Sequence, residues 1–448
     1  SNYTTLVNAM STGPNERVAR PVGAKGKMRV EWLHEVGQGY LALVRAPWAY
    51  LVMLALALWQ HRRATVLERR NLGQRVTRQA GIFWLGAGVS AVASVFISCG
   101  LAALSLPVGQ DAVYWLWGAT LVLLAVDSRL GSTAYAAPVL AVIQGVVAWV
   151  QSAGGAAPRW LTTDTLADAA SLLAVAGALV LVEGILVWAI GWRSASPVAV
   201  LGRRGQRVGG YVSHKLWAAP IVAPGPLTAF GHAPLLGTAG MVPMPAVFGT
   251  WSLSMRNLPR HTARQLSWPL LALGAAVAVG AYYARHSVWQ IAVVGLLCAG
   301  LHALIHALVQ RSERAGAAIV AQPKEGVRIL AVLPRSPAER MGLKPGETLI
   351  KVAGMAVNST YDIHFAVDRS PAYVKVEVQD LAGESRFAGT SLFAADPHLL
   401  GVIAVVQAAV ASDAQLAGAH QVTRLFRLWQ SLRKTAPAFV QGDAAGGA

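Results

Sequence analysis

Charge is scarce in this sequence. Of its 448 residues 13% are charged, where an average soluble domain has roughly 25%, and 54% are hydrophobic, with a mean hydropathy of +0.46. That combination excludes an ordinary soluble enzyme and a disordered chain. Cysteine is scarcer still. Cys99 and Cys298 stand far apart within apolar runs, which leaves neither a disulfide framework nor a cysteine metal-ligand spacing. Acid is short relative to base, 21 Asp/Glu against 38 Lys/Arg, and unevenly so: residues 1–310 hold 23 basic and 9 acidic residues, residues 311–448 hold 15 and 12. In the first part the arginines punctuate long apolar runs, which is how a polytopic membrane protein fixes its orientation, so the basic excess implies no nucleic-acid site. A GxSG serine motif and a Ser/Lys pair are missing too, and no signal peptide with a small-residue cleavage site is evident.

What is present begins with the apolar runs. A membrane helix must cross about 30 Å of hydrocarbon, and runs of that size lie near 40–60, 80–106, 133–153, 166–192 and 288–310, with shorter ones at 112–126 and 268–284. The fold class expected is therefore a polytopic α-helical bundle of about seven spans, within a range of six to eight, followed by a small α+β domain. The stretch 216–250 is apolar but carries Pro220, Pro224, Pro226, Pro234, Pro243 and Pro245. Proline removes helical hydrogen bonds and lipid tolerates no bare backbone, so this stretch should dip, lie flat or be covered by other helices.

Residues 61–78 carry six arginines and one glutamate, whereas 107–111 carries no base, so the Arg-rich segment faces the cytoplasm. Four crossings later come Arg193, Arg203, Arg204, Arg207 and Lys215, then Arg256, Arg260 and Arg264. Two more helices return the chain, and everything after residue 311 is expected on that same side. An odd span count puts residues 1–37 outside, while their own basic residues argue inside. Residues 1–27 read as an aperiodic N-terminal extension, and 28–310 as the membrane domain.

Two features inside the spans bear on chemistry. Glu183 sits mid-run in LLAVAGALVLVEGILVWAIGW, and an acid at that depth marks either a structural pairing or a proton or ion path. His302 and His306 in GLHALIHALVQ lie four apart on one helix face, as zinc ligands do in HExxH proteases. They resemble the intramembrane site-two metalloproteases, which also join membrane helices to PDZ domains. Here Ala303 holds the place of the glutamate that would activate a zinc-bound water, and no segment after residue 311 offers an acidic third ligand in a span. The expectation is that the chain is not an enzyme, with no cofactor and no metal. A metallopeptidase-related protein using His302 and His306, and a transporter using Glu183, are the alternatives.

From about residue 314 the pattern changes to short strands and turns. GVRILAVLP, SPAERMGL, KPGETLIKVAGMAV, the helix-like STYDIHFAV and the alternating YVKVEVQD and SRFAGTSLF follow in order. The segment resembles a bacterial PDZ domain over 314–402: Gly326 opens a strand, Ser336-Pro337-Ala338 starts a short helix ending at Gly342-Leu343, Gly346 sits in a tight turn and Gly354 in a hairpin. Glu347 stands where aspartate is commoner. Ala353 stands where asparagine usually precedes the glycine, which weakens the case for a type I′ turn. A PDZ domain accepts an extended peptide as an added strand. The resemblance implies a groove between a strand at Ile319 and Val320 and a helix carrying Ile363, His364 and Val367. Ile363 and Val367, four apart, also suit the core, leaving His364 the better groove candidate.

MRVEWLHEVGQGYL at the start of the bundle, the Arg-rich first loop, the Pro-rich stretch, GETLIKVAG and LAGESRFAGTSLFAADPHLLGVIAVV together resemble the MinJ family of cell-division topological determinants, over about residues 28–411. The resemblance implies a non-enzymatic, multi-pass adaptor in the cell membrane, enriched at pole or septum. Its cytoplasmic PDZ domain would bridge a DivIVA-like scaffold to a MinD-like ATPase in division-site selection. Beyond it, residues 412–448 read as a basic amphipathic helix with a disordered tail. At 420–434, Val422, Leu425, Phe426, Trp429 and Leu432 share one face, which could lie on anionic lipid or dock on a protein surface.

Overall fold

The computed structural model describes residues 34–410 except 35, 42, 44–46, 78, 105, 127–129, 155–164, 194, 203–204, 226–240, 285–286, 371, 394–395, 397–399, 406–407 and 409. The expected extension 1–27, the helix and tail at 412–448 and the centre of the Pro-rich stretch lie outside the described residues.

Seven long helices build the first domain: α1 (Pro47–Leu72), α2 (Gln79–Ala103), α3 (Gln110–Val126), α4 (Thr133–Ser152), α5 (Thr165–Leu186, prolonged by a π turn at Val187–Gly191), α6 (Pro259–Ala284) and α7 (Val288–Ala315). Among the described residues five segments, Phe83–Ala103, Thr133–Ser152, Ala169–Gly191, Pro259–Ala284 and Val288–Ala315, are long and apolar enough to cross a membrane, against the seven expected. α1 overlaps the run read at 40–60 but extends into the Arg-rich segment, and α3 matches the short run at 112–126. The Arg-rich segment is helix rather than loop up to Leu72, since Arg, Leu and Glu favour helix strongly. α5 and α6 cross closely at Gly177 and Gly274: a Cβ on Gly274 would stand 2.4 Å from the Leu181 amide nitrogen. Small residues are what let membrane helices approach so near.

Of the arrangements expected for the Pro-rich stretch, cover by other helices is the one observed. The unexpected feature is that its described residues are strands of a long antiparallel hairpin, β2 (Arg207–Pro224) and β3 (Met241–Ser254), with β1 (Ser196–Leu201) beside the base of β2. The hairpin is packed into the bundle: Trp217, Ala219, Ile221, Ala223, Met244, Ala246 and Phe248 are buried in one core with side chains of α2 to α7. Near its far end the Pro224 carbonyl accepts from the Val108 N–H (2.7 Å), beyond α2. A ladder of fourteen residue pairs satisfies the facing backbone groups, which is what irregular or extended chain at this depth requires.

The second domain holds β4 (Val320–Ala321), β5 (Val327–Val332), α8 (Pro337–Arg340), β6 (Thr348–Val352), β7 (Met355–Ala356), α9 (Thr360–Asp368), β8 (Tyr373–Gln379), β9 (Ser385–Ser391) and β10 (Val402–Ala404). Its sheet runs β10-β5-β6-β8-β9, with β7 against β6. α8 starts at the N-cap Ser336, and α9 at Ser359, which forms a capping box with Asp362. Ala353 and Gly354 both take positive φ, 50° and 83°, between the paired Val352 and Met355. The hairpin is therefore a type I′ turn despite its alanine. β10 begins where the sequence reading ended the domain, and it pairs with β5.

β4 leaves this sheet and pairs with β2 instead, Gly209 opposite Val320 and Val208 opposite Ala321, in line with the end of β3. The Tyr211 hydroxyl donates to the Leu330 carbonyl (3.0 Å), and the Ile319 N–H to the Met255 carbonyl (2.9 Å). A shared core of Ala199, Tyr211, Val320, Leu330, Val405 and Ala408, with Leu72 against it, binds the two domains. The ends of α1 and α7, the hairpin base and the second domain thus meet at one end of the bundle.

Candidate functional site

α5 carries Glu183 and α7 carries His302 and His306. The structure brings the three together. Glu183 Oε2 lies 3.3 Å from His302 Nε2, and Oε1 lies 3.5 Å from His306 Nε2. All three ligating atoms stand within 4.8 Å of one another. Glu183 and His302 are fully buried and His306 nearly so. The helical i, i+4 spacing puts both imidazoles on one face, with ring centres 5.2 Å apart, and Tyr135 of α4 stacks on His302 at 4.2 Å with the planes 10° apart. These separations exceed charge-assisted hydrogen bonds, about 2.7–2.9 Å. Neither oxygen of Glu183, neither nitrogen of His302, nor His306 Nε2 has a hydrogen-bond partner.

Next to this cluster lies a cavity of about 760 Å³, lined among others by Tyr135, Gly249, Trp251, Ala303, His306, Gln310, Arg311 and Arg314. It runs from His306 toward the C-terminal end of α7. Ala303, at the position of the missing glutamate, is part of its wall. The acidic side chain that the sequence reading sought after residue 311 stands instead on an upstream helix, facing the histidine pair. Glu183 and the histidine pair are each visible in the sequence; their meeting depends on how α5 packs against α7, which no local pattern shows.

The groove residues named from the PDZ resemblance are not gathered on one surface. Val320 is buried against Tyr211, Leu330, Val405 and Ala408, with Ile319 packed beside it. Ile363 and Val367 lie in the core of the second domain. His364 is exposed, its Nδ1 3.0 Å from Asp368. One edge of β4 is occupied by β2, which leaves at most its opposite edge for an incoming strand. Glu347, the departure from aspartate, accepts from Arg386 Nη2 (2.9 Å) and from the Lys344 N–H (2.9 Å), tying the turn before β6 to β9.

Two carboxylates that the sequence did not single out tie helix ends to the strands and turns at the base of the hairpin. Glu313, fully buried near the end of α7, accepts from the N–H groups of Met255, Arg256 and Asn257, from Asn257 Nδ2 and from Thr262 Oγ1, at 2.8–3.1 Å. Glu68 near the end of α1 accepts from the N–H groups of Val76 and Thr77, the Thr77 hydroxyl and Ser196 Oγ. The only signal for them is an acid among arginines at a helix end.

Fold and sites define a helical chain of membrane type, with a strand hairpin in its bundle and a small α+β domain fastened to one end. No protein-family model matches it. Its sequence is similar to curated division proteins. It is 26% identical over 239 residues to the cell division topological determinant MinJ of Bacillus subtilis (strain 168), a match covering 51% of this chain and 60% of that relative. It is 26% identical over 375 residues to the probable cell division topological determinant MinJ of Lacticaseibacillus paracasei, and equally to that of Lacticaseibacillus casei (strain BD-II), covering 79% of this chain and 94% of each relative. The chain thus spans 60% of the length of the Bacillus relative and nearly all of the other two.

Proposed function

We propose that the chain is a multi-pass membrane determinant of division-site placement. In this reading it is a non-enzymatic adaptor whose C-terminal α+β domain, PDZ-like and cytoplasmic, docks proteins of the division machinery. The observation that carries the reading is the similarity to MinJ determinants across 79% of the chain and 94% of the relative. The strand and helix order of the second domain supports the PDZ-like assignment, and the meeting of the Arg-rich segments at its end of the bundle supports the cytoplasmic side. The partners are those the family resemblance implies, a DivIVA-like scaffold and a MinD-like ATPase. Docking by strand addition at β4 has to use the edge away from β2 or displace β2.

A fluorescent fusion of the full chain, in the cells that make it, tests this. The expected result is concentration at poles or septa, lost when residues 312–402 are removed. Uniform membrane fluorescence of the intact fusion, or localisation indifferent to that deletion, would overturn the adaptor reading.

A further inference from the structure

We propose that Glu183, His302 and His306 form a binding site for one divalent transition metal ion, zinc by its donor set, which clamps α5 to α7 inside the bundle. Two imidazoles and one carboxylate are a donor set that zinc takes, with three protein ligands and a fourth position for water. Ligands about 2.0–2.1 Å from a tetrahedral zinc stand about 3.3 Å from one another. The observed 3.3 Å from Oε2 to His302 and 3.5 Å from Oε1 to His306, one to each carboxylate oxygen, are near that edge. The three donor atoms lie within 4.8 Å of one another, and both distances are long for hydrogen bonds to a carboxylate.

The environment points the same way. A carboxylate fully buried among helices needs a compensating charge, yet its oxygens and the facing imidazole nitrogens lack hydrogen-bond partners. A dication takes one oxygen of that carboxylate and the two facing Nε2 atoms at once, and supplies the compensating charge. Tyr135, stacked on His302, fixes the ring plane in place of a hydrogen bond. His306 and Ala303 open on the cavity, so water can fill the fourth position and the ion has a way in. Among the described residues that line the cavity none is a carboxylate, and the role proposed for the ion is to hold the two helices together. Among the described residues no other three His, Cys, Asp or Glu side chains converge in this way. The inference stands independently of the adaptor reading.

The test is metal analysis of the full chain purified in detergent, equilibrated with zinc and washed with a weak chelator. About one zinc per chain is expected, falling to a small fraction in E183Q and H302A, while Y135F keeps it. Should either ligand variant fail to give a monodisperse protein, cobalt decides on the intact chain. The expected result is the visible absorption of four-coordinate cobalt, bleached by added zinc. A folded wild-type chain that retains no zinc and gives no such cobalt spectrum would overturn the site.

Discussion

Pro220 of β2 stands directly opposite Pro245 of β3. Every proline of the paired strands from 220 to 245 falls in the same class of cross-strand pair, since Val222 faces Pro243 and Pro224 faces Met241, each two residues further along. Residues opposite each other in an antiparallel ladder alternate between hydrogen-bonded and non-hydrogen-bonded pairs. Proline cannot donate, so this class is the non-bonded one, whose N–H groups point away from the partner strand. Inside a helical bundle an outward N–H has no water to meet. At four such positions proline removes the donor, and at two others a helix supplies the acceptor: Ser98 Oγ takes the Val222 N–H (2.9 Å) and Thr133 Oγ1 takes the Val247 N–H (2.6 Å). The prolines that rule out a helix thus suit this strand pair to the bundle interior.

The first prediction follows from those two acceptors. Ser98→Ala and Thr133→Val each orphan a buried backbone N–H, at a cost of about 1–3 kcal/mol. Thermal unfolding in detergent should show a lowered midpoint for each variant, and unchanged midpoints would mean that the hairpin edges are satisfied otherwise.

Glu313 should be the more sensitive point. Glu313→Gln keeps the shape but turns an amide toward N–H donors and removes the charge from five hydrogen bonds, a loss of about 2–4 kcal/mol. Hydrogen exchange should speed up at Met255, Arg256 and Asn257, the residues whose N–H groups it holds, before it does in the α5–α6 contact.

The close crossing of α5 and α6 gives a paired test. Gly274→Val places side-chain atoms against the Leu181 backbone, whereas Gly88 of α2 has open space where its Cβ would stand. Packed helix backbones do not yield by an ångström, so Gly274→Val should give aggregated protein on size exclusion, and Gly88→Val a single monodisperse peak.

Much of this was legible in the sequence for physical reasons. Apolar runs of span length marked the five described helices that are long and apolar enough to cross a membrane, and Ser336 with the glycines at 342, 346 and 354 marked turns and a helix start of the second domain because caps and positive-φ turns demand particular residues. The hairpin was not legible. Its two strands, buried on both sides, show no alternation of polar and apolar residues, and only the parity of the prolines across a register unknown beforehand marks it. The Glu183–His302–His306 cluster failed to appear for a different reason, since it joins segments far apart in sequence through helix packing alone.

Acid should weaken the second domain in a defined window. The backbone N–H groups of Asn358 and Ser359 hold the Asp362 carboxyl below its ordinary range. A carboxyl depressed in the folded state stabilises fully above its unfolded value, about 3.9, and that contribution is lost as pH falls through the lower folded value. Asp362→Asn should therefore flatten the pH dependence of α9 protection below about pH 4, measured by hydrogen exchange, and should leave the profile near neutral pH parallel to the wild type.

Ala353 is the clearest place to gain stability. It sits at φ 50° in the two-residue turn between β6 and β7, a conformation that costs an ordinary L-residue about 1–2 kcal/mol and that asparagine adopts far more readily. Its side chain is half-exposed at the margin of the second domain's core. Ala353→Asn should then stabilise the second domain by up to about 1 kcal/mol, seen as slower exchange of the β6 and β8 amides with no change in α4 to α7. If the variant exchanged faster, the packing of the alanine methyl against the core would outweigh the relief of backbone strain.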